Sequence, residues 1–171
     1  MNKHSIITSI AIVVIVIPLI YSGSSIIEAQ QLEYRWDTPG EFTFFTMSND
    51  GKIEFCNTLP LWTGFQKFEI SSFYQSKLLG SFVVKPMTIN PLSSIIQEGT
   101  FLSEELPAAQ HIFMTFDFEF NGGNIRLDPT KFIIITSIDT PILGIIPYST
   151  TSQISGFEFD KMMNAENLSC N

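Results

Sequence analysis

The sequence predicts a mainly β fold, a small β-sandwich with one inserted helix, preceded by an N-terminal transmembrane helix or signal peptide. Three observations carry this. Short alternating apolar runs recur from residue 41 onward, separated by turn residues such as Asn49-Asp50-Gly51 and Asn90-Pro91. Aromatic residues make up 13% of the 171 residues, and 16 of these residues are Phe, which suits a β-rich core. Before Glu28 the chain carries one long uncharged stretch, from Ser5 to Ile27.

That stretch comes first. Residues 1 to 5 read MNKHS, and Ile6 to Tyr21 read IITSIAIVVIVIPLIY without a charge. Lys3 and the amino terminus precede it and Glu28 follows, so the positive-inside rule keeps the N-terminus in the cytoplasm and exports the remainder. The segment reaches the length of a bilayer span only if Ser22 to Ser25 are counted. Its apolar core alone has the length of a signal-peptide core, with small residues at Gly23 and Ala29 for cleavage. A buried core helix fits poorly, because the run is apolar on every face. The expected organisation is an anchor or signal peptide over 1–29, a linker over 30–40, a β-sandwich domain over 41–160 and a C-terminal tail over 161–171. The expected location is the cell membrane, single-pass with the domain outside, or secreted if the segment is cleaved.

The elements follow in order. Phe42, Phe44 and Thr46 alternate as a strand, Asn49-Asp50-Gly51 supplies a hairpin turn, and Ile53 and Phe55 continue one face. FQKFEISSFY sets Phe68, Ile70 and Ser72 against Lys67, Glu69 and Ser71. SFVVKPMTI is a further strand in which Pro86 calls for an edge or a bend. Another is expected around Ile95 to Leu102. Residues 104–119 alternate in part but also place Leu106, Ala109, Phe113, Phe116 and Phe120 at helical spacing. Ser103 can cap, Glu104 and Glu105 suit a helix N-terminus, and Gly122 can end it, so a helix is expected there. KFIIITSID and IIPYSTTSQISGFEF are the closing strands. Between them, the apolar PILGIIP is too short to span a bilayer, and its prolines and Gly144 fit a corner at which Pro141 ends one strand.

Charge removes one class of function. Beyond residue 27 lie eight cations and all 17 acids, a net of −9, and no basic stripe exists to neutralise phosphates. Nucleic acid is therefore not an expected partner, and anionic lipid is disfavoured. The expected partners are the lipid bilayer, through residues 6–27, and a protein of the cell envelope.

Candidate chemistry is sparse. Cys56 and Cys170 can form a disulfide that ties the tail to an early strand, or remain two free thiols. With His111 as the one histidine beyond residue 4, neither a copper nor a structural zinc set can be assembled. A Cys56–His111 nucleophile pair is open only if Cys56 is free. Asp117, Glu119 and Asp128 surround NGGNIRLDP and can hold Ca²⁺ or act as paired acids, but read more simply as a solvated turn. Asn167-Leu168-Ser169 is an N-glycosylation sequon. Trp62 and Phe65 flank Gly64 after Pro60; exposed they form a contact patch, packed they plug the end of the core. No catalytic, cofactor or metal residues are assigned.

The order of several motifs resembles LEA14-type (late embryogenesis abundant group 2, WHy) domains over about residues 40 to 156. The matching features are Asn57 and Pro60, Leu79-Gly80, Ile89 through Ser94, and the run from FEFNGG to PILGIIP. The resemblance implies an Ig-like sandwich with a stress-protective or binding role and no catalytic residues. The exported region also resembles uncharacterised membrane-anchored proteins of ammonia-oxidising archaea. The expected function is a non-catalytic, extracytoplasmic, membrane-anchored binding module of the cell envelope. The alternatives are a stress-protective domain and a hydrolase using dispersed carboxylates.

Overall fold

The computed structural model describes residues 6–18, 31–124, 126–142 and 146–170. It is mainly β. Seven strands form one antiparallel sheet in the order β1-β2-β7-β5-β4-β8-β9, and β3 pairs with β6 in a separate ribbon. The strands are β1 (Glu33–Trp36), β2 (Gly51–Asn57), β3 (Thr63–Phe65), β4 (Lys67–Tyr74), β5 (Lys77–Val84), β6 (Met87–Ile89), β7 (Ser93–Leu102), β8 (Phe132–Ile142) and β9 (Ile146–Ser155). The helices are α1 (6–18), α2 (Phe44–Met47), α3 (Leu106–Phe120) and α4 (Gly156–Met163).

Strict alternation builds the sheet. On β8, Phe132, Ile134, Thr136, Ile138 and Thr140 are buried, and the residues between them are half-buried. On β4, Phe68, Ile70 and Ser72 take the same inner face. A period of two sends alternate side chains to opposite faces, so one face of each strand feeds the core. The sheet curls until its first strand meets its sixth: Tyr34 of β1 stacks edge-on against Phe68 of β4, ring centroids 4.8 Å apart, and its hydroxyl donates to Thr136 of β8. Glycines let rings lie flat on the curled strands. A Cβ on Gly99 would fall 2.2 Å from the Phe82 ring, and one on Gly51 2.0 Å from Trp36.

The core has two ends. Call the lower end the one where the chain enters β1 at Glu33. Register places the end of β2 (Asn57), the start of β7 (Ser93) and the Ile142↔Ile146 end of the β8–β9 hairpin there too. At the upper end α2, α3 and α4 cover the sheet through rings. Phe116 stacks on Phe132 at 4.4 Å, and Phe44 touches Phe113, Phe132 and Phe159.

Several expectations change. Phe42 to Thr46 do not form a hairpin strand. Thr43 caps α2 by accepting from Thr46 N–H, and Asp117 on α3 accepts from the N–H groups of Phe44 and Phe45, so these backbone donors bond helix-fashion. The partner of β2 is instead β1, which lies within the expected linker 30–40. Asn49-Asp50-Gly51 still turns the chain, with Asp50 at φ 71°. The last strand stops at Ser155, because Ser155 and Glu158 close a reciprocal capping box that starts α4. Residues 156–159 are thus helical, and the expected tail begins inside α4. Pro141 does not end its strand. It faces Pro147 in the register, so neither nitrogen needs a ladder partner, and β8 runs on to Ile142. Gly144, expected at the corner, and Ile145, expected to enter the last strand, lie outside the described residues. Pro86 falls in the bend between β5 and β6, and β5 is an inner strand.

The helix over 104–119 appears as α3, Leu106–Phe120. Gly122 follows at φ 90°, a left-handed conformation that suits glycine at a helix end. Described α1 residues 6–18 make a helix about 20 Å long at about 1.5 Å per residue. Among the described residues no helix is long and apolar enough to cross a membrane.

Candidate functional site

The lower end carries a braced pair of loops, 58–62 and 90–92. Its keystone is Asn57, buried at the last position of β2. The Asn57 amide donates to the carbonyls of Leu61 at 2.7 Å and Asn90 at 3.0 Å, and its Oδ1 accepts from Leu59 N–H. Leu92 N–H donates to Leu59 O at 3.1 Å, which joins the two loops directly. Leu92 sits at φ 48°, a strained conformation for a branched residue that persists because these bonds hold it.

This bracing presents three large apolar side chains to solvent. Leu61 is 49% exposed, Trp62 55% and Leu92 64%. Exposed apolar residues scattered singly are ordinary, but three on two cross-linked loops form a surface. Phe65 does not belong to it. Phe65 is buried, 5.1 Å from the Phe55 ring and 5.6 Å from Phe68, where it closes the lower end of the core. Of the two readings open for Trp62 and Phe65, a contact patch or a plug at the end of the core, each residue takes one: Phe65 turns inward as the plug and leaves the patch, Trp62 turns outward, and Leu61 and Leu92 take the place of Phe65. Between Asn57 and Thr63, and between Ile89 and Ser93, there is no charged residue.

The C-terminal segment clasps the sheet beside these loops. Cys56 and Cys170 are joined in a disulfide, with Cα atoms 5.8 Å apart. Arg35 and Glu54, both buried, pair at 2.7 Å, and Arg35 also donates to the carbonyls of Ala165 and Glu166. Ser169 donates its N–H and hydroxyl to the two oxygens of Glu33. These contacts lay residues 165–170 along β1 and β2. Asn167, the sequon residue, is exposed, while its neighbour Leu168 is buried.

The acids are mostly structural. Asp117 caps α2, and burial raises its pKa while the Phe45 and Phe44 N–H groups oppose the rise. Asp160 on α4 is pushed up to about 6, first by burial and then by the charge of Asp117, with the Asn164 amide acting the other way. Asn164 also brackets Phe42, accepting from its N–H and donating to its carbonyl. Asp117 and Asp160 lie 43 positions apart, and no local pattern in the sequence links them. Asp128 caps a short turn through Thr130, apart from Asp117. Glu119 is half-buried on α3. No group of three or more His, Cys, Asp or Glu among the described residues is placed to hold a metal. His111 is exposed on α3 and Cys56 is disulfide-bonded, so the two are not brought together.

One open groove, of about 830 Å³, runs between the start of β5, the end of β7 and the start of α3. Leu78, Phe101, Leu102, Leu106 and Ala109 line it, and the Lys77–Glu105 ion pair, 2.7 Å long and exposed, borders it.

No protein-family model matches the chain, and no curated protein matches it. Among solved structures, the crystal structure of a protein from Archaeoglobus fulgidus is similar at 10% identity with a TM-score of 0.30. The likeness covers 73% of this chain and 94% of that one. The functional reading therefore rests on the residues of this chain.

Proposed function

We propose that the protein is a non-catalytic, extracytoplasmic binding module, held at the cell membrane by residues 6–27, whose contact surface is formed by Leu61, Trp62 and Leu92. The observation that carries this reading is the brace around Asn57. The Asn57 side chain ties down the backbone of both loops and a Leu92–Leu59 backbone bond joins them, so exposing these side chains is a property of the fold and not of a loose loop. A rigid aromatic anchor flanked by aliphatic side chains suits binding, because little conformational freedom is lost on contact. A membrane span then requires the uncharged residues 19–27, Ser22 to Ser25 included, in addition to α1.

The sandwich and the LEA14 kinship belong to the same reading. The β3–β6 ribbon is separate from the seven-stranded sheet and carries buried Phe65 and Ile89, which supports a second layer. The disulfide and the exposed sequon at Asn167 suit a compartment outside the cytoplasm.

Photo-crosslinking tests the contact surface. A photoreactive residue is placed at position 62 of the full chain, or at exposed Thr151 of β9, and irradiated in native membranes. The reading expects an adduct pattern specific to position 62. Identical patterns at 62 and 151 would remove it.

A further inference from the structure

We infer that the Leu61–Trp62–Leu92 surface rests on the bilayer itself, so that the domain is docked on the membrane as well as tethered to it. The inference rests on the anchored reading above and names the occupant of the same surface.

Chain geometry brings the surface to the membrane. The last apolar residue of the N-terminal stretch is Ile27, and β1 begins at Glu33. Six residues span at most about 20 Å when fully extended. The register puts Glu33 opposite Cys56 on β2, one position from Asn57, which braces the loops. The end of the domain that carries the apolar loops is thus the end at which the tether arrives.

The chemistry of the loops fits lipid. Both are free of charge, in a domain that otherwise carries 17 acids and eight cations. An acidic domain gains nothing from an anionic headgroup, so attraction has to come from apolar insertion into uncharged or zwitterionic lipid. Trp sits well at a bilayer interface, since its ring is amphipathic, and leucines on either side extend the inserted area. A loop in hydrocarbon needs its backbone groups paired, and Asn57 and Leu59 already bond the Leu61 and Asn90 carbonyls and the Leu92 N–H. A protein partner would equally cover an apolar patch, but the short tether and the uncharged loops favour the lipid.

The chain has two tryptophans, Trp62 at the surface and Trp36 buried in the core, which makes fluorescence selective. The full chain is reconstituted into phosphatidylcholine vesicles whose acyl chains carry bromine near the headgroup, alongside a Trp62→Phe chain. The inference expects bromine to quench the wild-type emission and to leave the emission of Trp62→Phe, which comes from Trp36, nearly unchanged. Leu92→Asp, a change at an exposed position, should lose most of the quenching while the chain still floats with the vesicles. If the wild type floats with the vesicles and is quenched no more than Trp62→Phe, docking is overturned and the anchor stands. A chain that does not float with the vesicles overturns the anchor and, with it, the docking. Absence of quenching together with a protein adduct specific to position 62 overturns the lipid and keeps the binding module.

Discussion

The Tyr34 hydroxyl donates to Thr136 Oγ1 at 3.1 Å, across the inside of the sheet from its first strand to its sixth. These residues lie 102 positions apart, and their bond marks how far the sheet has curled. Burial raises the pKa of the Tyr34 phenol, and the hydrogen bond to Thr136 partly offsets this. Tyr34→Phe keeps the ring contacts but leaves the buried Thr136 hydroxyl without this donor. The expected cost is about 1 kcal/mol, seen as a fall of about 2–4 °C in thermal midpoint.

The clasp should matter more. The disulfide joins residues 114 positions apart. In the chain-entropy account a loop of that size restricts the unfolded chain enough to contribute about 5 kcal/mol. Replacing both Cys56 and Cys170 by Ser is expected to lower the denaturant midpoint, and reductant should lower the wild-type midpoint to a similar value. Intact mass under non-reducing conditions should be two hydrogens short of the sequence mass, and a full mass would show free thiols.

Asp160 gives stability a pH dependence. Its folded pKa is about 6 against an ordinary value of 3.8. The folded state therefore holds the proton more tightly than the unfolded state does. The stability from that proton is fully present below about pH 3.8, falls as pH rises through the window and is gone above about pH 6. The shift corresponds to about 3 kcal/mol, which solvent screening of a half-buried group reduces to about 1 kcal/mol. Asp160→Asn should stabilise the protein at pH 7 and flatten the profile between pH 4 and 6, measured by denaturant unfolding. An unchanged slope would show that Asp160 titrates normally.

Gly156 is a packing requirement. A Cβ there would lie 2.1 Å from Phe132 Cδ1, in a ring cluster that leaves Phe132 no room to move. Gly156→Ala is expected to cost about 1–3 kcal/mol. Ser155→Ala, which removes the cap of the same helix, should cost about 1 kcal/mol. Circular dichroism melts of the two variants check the order.

How far the sequence reveals the fold depends on the range of the signal. The alternation on β4 and β8 is legible because each strand turns one face to the core. α3 is legible because Ala109, Phe113 and Phe116 keep helical spacing even where the Phe residues also alternate. α2 is not, since Phe42 and Phe44 alternate like a strand, and the helix start depends on Asp117, far along the chain, accepting from the N–H groups of Phe44 and Phe45. β1 is too short to show a period. The capping box at Ser155 and Glu158 was a local signal, masked by the strand-like Ser and Thr before it. In the candidate site, Trp62 and Phe65 look equivalent in sequence, and only the β3–β6 pairing decides which one the core takes. Leu92 joins Leu61 through bonds between loops some 30 residues apart, which no local pattern announces.

Hydroxyl-radical footprinting of the full chain in native membranes, against the detergent-solubilised chain, tests the docked surface most directly. Trp62 and Met114 are equally exposed, at 55%, but Trp62 lies at the lower end and Met114 on α3 at the upper end. The account predicts that membranes protect Trp62 from oxidation while Met114 is oxidised as in detergent. Equal oxidation of Trp62 in membranes and in detergent would contradict it.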